Sequence, residues 1–161
     1  MTIRQSHSLL LMVSVLGVTP LASQTTQTTE VRDPGLTMVP GRCFDDNSRQ
    51  VAIDSLVVMY NRIATFNLDN QPVRSEVRRG TVYVRYPGEN GTAFFDPLQV
   101  AHYNAEDARV YHGLLDGTPV IVWETTVENI RRRAGILGYR GRGLYSLCSG
   151  NVPRELQDRA R

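Results

Sequence analysis

The chain has 161 residues, 41% of them hydrophobic, and a formal net charge of +2 at pH 7. With an export signal set aside, that is one domain's worth of chain with a single core, which argues against a multidomain architecture. All 18 basic residues are arginine, a bias that GC-rich coding explains and that a preference for the rigid guanidinium fork would also produce.

Met1 to Ser23 reads as a signal peptide. Arg4 and the amino terminus are positive, Leu9 to Val18 is an apolar run, and Leu21-Ala22-Ser23 offers a cleavage region. The apolar run falls short of the roughly 20 residues that span a bilayer, so no integral span is expected in the mature chain. No cysteine follows the run, which excludes a lipid anchor. The protein is therefore expected to be exported, either periplasmic or secreted.

Residues 24–41 form a Thr/Gln-rich leader too poor in apolar side chains to order itself. A single domain is expected over 42–152 and a charged tail over 153–161. Asn47 and Gln50 have capping-box spacing, and Ala52, Leu56, Met59, Ile63 and Phe66 recur at helical intervals, so a helix is predicted from about Ser48 to Ala64. Thr81 to Tyr86 and Thr92 to Phe95 flank Pro87-Gly88-Glu89-Asn90-Gly91 as one hairpin; Asn90-Gly91-Thr92 is also a glycosylation sequon, although hairpin chemistry accounts for it. Val110 to Leu115 and Val120 to Trp123 flank Asp116-Gly117 as a second hairpin. A second capping box, Thr125 with Glu128, precedes Val127, Ile130, Ala134 and Leu137, which predicts a helix from about Thr126 to Leu137. Gly143 to Cys148 closes the domain as a strand. The expected fold class is α+β: a small antiparallel sheet of about five strands, two hairpins plus a C-terminal strand, with two helices packed on one face.

Cys43 and Cys148 are the only cysteines. In an oxidising compartment an even pair reads as a disulfide, whereas a metal site would want more ligands nearby. No metal, nucleotide, redox or other cofactor motif is present.

From Gln24 to Ile130 there are nine arginines against fourteen acids, a net of −5; from Arg131 to Arg161 there are eight against two, a net of +6. Arg131, Arg132, Arg133, Arg140 and Arg142 are thus the conspicuous constellation, either an anion-binding surface or the solvated face of the second helix. Nucleic acid is disfavoured, since only Tyr139 and Tyr145 interleave with that charge. Acid–base catalysis assembles only on paper, with His102 or Glu106 as base, His112 as acid and Arg85 as phosphate clamp. The leading expectation is an exported, non-catalytic binding module docking a protein or an anionic envelope polymer. The alternatives are a small secreted hydrolase acting on a phosphodiester or glycan, and a structural component of an envelope assembly.

Overall fold

A computed structural model describes residues 40–105, 107–127 and 131–153. The predicted signal peptide, most of the predicted leader, Glu106, residues 128–130 and the tail beyond Pro153 lie outside the described residues.

Two antiparallel sheets make the fold. The larger contains β1 (Cys43–Phe44), β2 (Gln50–Val51), β3 (Val57–Met59), β8 (Arg109–Leu115), β9 (Thr118–Val127), β10 (Arg131–Arg140) and β11 (Gly143–Asn151), in the order β2-β1-β11-β10-β9-β8-β3. The smaller is the meander β4 (Ile63–Leu68), β5 (Gln71–Arg78), β6 (Thr81–Arg85) and β7 (Ala93–Phe95). A single turn of helix, α1 (Pro97–Val100), leads from the smaller sheet back to the larger. Asp96 caps it, accepting from the Leu98 N–H at 2.9 Å.

Both faces of the larger sheet are covered. On one face Ile121, Trp123 and Leu137 pack against Val73, Val82 and Val84 of the smaller sheet. On the other, Val120, Val122 and Ile136 meet Cys43 and Cys148, with Val51, Ile53, Leu56 and Val58 from the segment before β4 closing over them. A strand covered on both sides carries a continuous apolar run rather than an alternation. Accordingly Val120 to Thr125 are all buried in β9, and Ala134 to Gly138 are all buried in β10.

That geometry overturns the expected α+β class. The described residues form a nearly all-β fold with eleven strands, and neither long helix exists. The span from Ser48 to Ala64 instead forms β2, β3 and the start of β4. Its branched side chains Val51, Ile53, Val57, Val58 and Ile63 are stiff at χ1 and favour the pleat. The apparent N-cap cluster is a local turn: the Asp45 carboxylate accepts from the N–H groups of Asn47 at 2.9 Å and Arg49 at 2.8 Å. The described part of the span from Thr126 to Leu137 is the end of β9 and most of β10, whose doubly buried run imitates helical spacing.

Both hairpins read from the sequence do form, pairing Val82 with Phe95 and Leu115 with Thr118. A third, β4 to β5, turns at Asp69-Asn70, with φ of 50° and 61°. Positive φ at both central residues is the requirement of a type I′ turn, met at β8 to β9 by Asp116-Gly117 with 50° and 74°.

Two glycines of β10 seat aromatic rings across the ladder. Gly135 lies opposite Trp123, and a Cβ there would stand 2.5 Å from the indole; Gly138 lies opposite Tyr145, and a Cβ would stand 2.6 Å from that ring. The Cys43–Cys148 disulfide ties β1 to β11 over a sequence separation of 105. Closing so long a loop contributes about 4–5 kcal/mol in the chain-entropy picture. No helix of the described residues is long and apolar enough to cross a membrane.

Replacing Gly135 with Ala should displace the fully buried Trp123 and cost about 3 kcal/mol or more in a denaturant melt. Gly117→Ala, at an open turn with nothing near the added methyl, should cost only its backbone strain, about 1 kcal/mol. Equal losses would refute the seat. Thiol labelling of the denatured, unreduced protein should find no free cysteine.

Candidate functional site

His112, on β8, is 1% exposed and both its ring nitrogens are engaged. Nδ1 lies 2.8 Å from the Asn61 carbonyl, which only accepts, so Nδ1 carries the proton and Nε2 is the acceptor. The Ser75 hydroxyl donates to Nε2 at 3.0 Å, and the Tyr139 hydroxyl donates to Ser75 Oγ at 3.1 Å. Burial lowers the His112 pKa and raises that of Tyr139. A serine on a histidine has the outline of an activated nucleophile. Here Ser75 has no exposed surface and a carbonyl, not a carboxylate, orients the ring. The chain of hydroxyls is a polar rivet between β5 of one sheet and β8 and β10 of the other, every member satisfied.

His102 sits elsewhere, exposed in the loop after α1 with φ of 55°, beside a cleft of about 700 Å³ that Asp96, Gln99 and Tyr103 also line. The His102/His112 pair therefore does not converge.

The five arginines of the C-terminal run also separate. Arg131, Arg132 and Arg133 begin β10 and Arg140 ends it, about 25 Å away at the rise of a strand. Arg133 lies over the Tyr103 ring at 4.8 Å, Arg140 over Tyr145 at 4.2 Å, and Arg142 pairs with Glu89 at 2.6 Å. These contacts hold the guanidinium groups against the protein.

Near the start of β10, Glu124 is buried, with Oε1 3.7 Å from Arg109 and 3.5 Å from the Tyr111 hydroxyl, and Oε2 unpartnered. Burial pushes its pKa up to about 7, against the pull of Arg109 and Arg132. Asp107 borders the same cleft. Its burial is outweighed by bonds from the Thr125 hydroxyl at 2.8 Å and the Thr126 N–H at 3.1 Å, which hold its pKa down. Two carboxylates with opposed pKa values are what acid–base chemistry uses. The space between them, about 40 Å³, admits water and no substrate.

The outer face of the smaller sheet is open and cationic. Its strands alternate: Val73, Ser75, Val82 and Val84 point into the core, so Arg74, Glu76 and Arg78 of β5, and Tyr83 and Arg85 of β6, point out. Register then sets the rows. Arg74 stands directly opposite Arg85, and Glu76, Tyr83 and Phe94 form the adjacent row. Like charges directly opposite on a sheet are destabilising. Neither Arg74 nor Arg85 has an ion pair or hydrogen bond among the described residues, and they flank a cleft of about 200 Å³ with Glu76, Tyr83 and Thr92. Arg62 and Arg78 border the neighbouring cleft: Arg62 pairs with Glu76 Oε1 at 2.9 Å, and Arg78 lies over Tyr83 at 4.7 Å. Arg85 is thus a sequence candidate that finds a companion, Arg74, which single-sequence reading does not select. Eleven residues separate the two, and only the register unites them.

Compared with models of known protein families, with characterised proteins and with solved structures, the chain matches none.

Glu124 gives a signed pH test. Because its folded pKa lies above the ordinary 4.5, it contributes stability that is present below pH 4.5 and lost as pH rises to about 7. His112, its pKa lowered, contributes in the opposite sense, losing stability as pH falls below 6.5. Glu124→Gln should therefore match wild type at pH 4 and exceed it at pH 8 by on the order of 3 kcal/mol, read from urea melts. A variant less stable than wild type at pH 8 would refute burial as the dominant influence on Glu124.

Proposed function

We propose that the protein is an exported, non-catalytic binding module, periplasmic or secreted, that docks an anionic polymer on the outer face of its smaller sheet. The observation that carries this is the Arg74–Arg85 pair. Folding alone gives no reason to set two guanidinium groups opposite one another on an exposed ladder, where each raises the energy of the other. An oxyanion between them reverses the sign of that interaction, and two forked donors match its geometry. Arg62, Arg78 and Arg79 add to the same field.

The disulfide supports an oxidising location. The C-terminal arginines play the lesser part, since Arg133, Arg140 and Arg142 are each held against a neighbour. A hydrolase built on His102 and His112 draws no support from the geometry, because the ring nitrogens of His112 are already taken.

Arg74→Gln combined with Arg85→Gln should weaken binding to dextran sulfate at least about tenfold at 0.1 M salt, while leaving Tm unchanged or slightly raised. Arg132→Gln combined with Arg140→Gln should leave affinity within about twofold of wild type. Binding that survives the first pair and fails with the second would move the docking face to β10.

A further inference from the structure

We infer that the polymer is an acidic glycan, with its charged substituent between Arg74 and Arg85 and one sugar ring seated on Phe94; this rests on the docking face proposed above. Three features of the face choose among anionic polymers.

The first is Phe94, which is 73% exposed on the edge strand β7 and has no ring or cation contact among the described residues. An exposed aromatic on an edge strand forgoes about 2 kcal/mol of burial and invites association, so it is better explained by an occupant than by the fold. Polyphosphate has no apolar face to cover it. The C–H face of a sugar does.

The second is the number of platforms. Tyr83 lies between Glu76 and Phe94 in the row, and the Arg78 guanidinium already covers its ring. One open ring therefore accompanies one anion clamp. Arg85 and Phe94 are diagonal neighbours on adjacent strands, about 7–8 Å apart across the ladder, a separation that one sugar with its charged substituent bridges. Single-stranded nucleic acid instead calls for stacking platforms under successive bases.

The third is Glu76. A carboxylate lining an anion cleft opposes a bare phosphate. Its Oε1 takes Arg62 at 2.9 Å and stands 4.0 Å from Arg78, whereas Oε2 has no hydrogen bond or ion pair among the described residues. An acceptor beside two cationic donors suits a ligand that carries both an oxyanion and hydroxyl groups. Thr92 lines the same cleft.

The test is isothermal titration of the full mature chain, disulfide intact, with oligogalacturonate and dextran sulfate as acidic glycans. Methyl-esterified oligogalacturonate and dextran serve as neutral controls, with linear polyphosphate and oligo(dT) as other anions. Either acidic glycan should bind, and its neutral counterpart should not. Phe94→Ala should weaken the acidic glycan about tenfold and leave polyphosphate unchanged. Glu76→Gln should weaken the glycan and strengthen polyphosphate, a crossing that a structural role for Glu76 would not produce.

If polyphosphate binds as well as the glycans and neither variant discriminates, the glycan assignment falls while the docking face stands. Tighter binding of oligo(dT), lost in Phe94→Ala, would assign the face to nucleic acid. A concentration-dependent dimer in sedimentation that Phe94→Ala abolishes would assign it to a second copy of the chain. Either result overturns the inference. If no anion binds, the proposed function falls with it.

Discussion

The fold depends on covering β9 on both faces. Six consecutive side chains of that strand, Val120 to Thr125, are withdrawn from water, and a lone sheet buries only one face. The smaller sheet supplies one cover and the segment from Cys43 to Val58 supplies the other. From this follow the two core clusters, the His112–Ser75–Tyr139 relay that crosses between sheets, and the glycines of β10. With large rings packed over the ladder, β10 has room for Trp123 and Tyr145 only where it carries no side chain.

The same constraint sorts the polar groups. Those that must lie inside are satisfied pairwise, as His112 is, or are held at a cost, as Glu124 is with one oxygen unpartnered. Several of the charges that remain outside share the outer face of the smaller sheet: Arg74, Glu76, Arg78 and Arg85. There the arrangement stops serving stability: Arg74 against Arg85 and an uncovered Phe94 both work against the folded state. Sites commonly retain such locally unfavourable arrangements.

What was legible in the sequence was chemistry that acts over a few residues or leaves one possible partner. Asp116-Gly117 specified its hairpin because few dipeptides accept two positive φ values, and the cysteine pair, with no third cysteine to compete, specified its own bridge across 105 residues. Asp69-Asn70 carries a related signal, but without glycine it passes for a polar link, and the β4 to β5 hairpin went unread. The two helices failed for different reasons. The run in β10 is buried on both faces and loses the period of two, so its apolar positions pass for helical spacing, whereas Ser48–Ala64 holds short, partly exposed strands whose branched side chains favour the pleat over the helix that their intervals suggest. His112 was readable as a sheet position, though not its partners, which come from 37 and 51 residues away. The Arg74–Arg85 pair was invisible for the same reason that the C-terminal arginine run was conspicuous: a sequence displays neighbours along the chain, and a sheet assembles neighbours across it.

The pairing of β1 with β11 also fixes an order in time. A ribosome delivers Cys43 early and Cys148 last of all the paired elements, more than a hundred residues later. Until then the first strand has only β2 beside it, and its thiol has no mate. The second cover of β9 is tied down only once β11 has been made, so until then that side of the sheet lacks its anchor. The bridge then joins the first strand to the last covalently, so that neither can leave the sheet far behind.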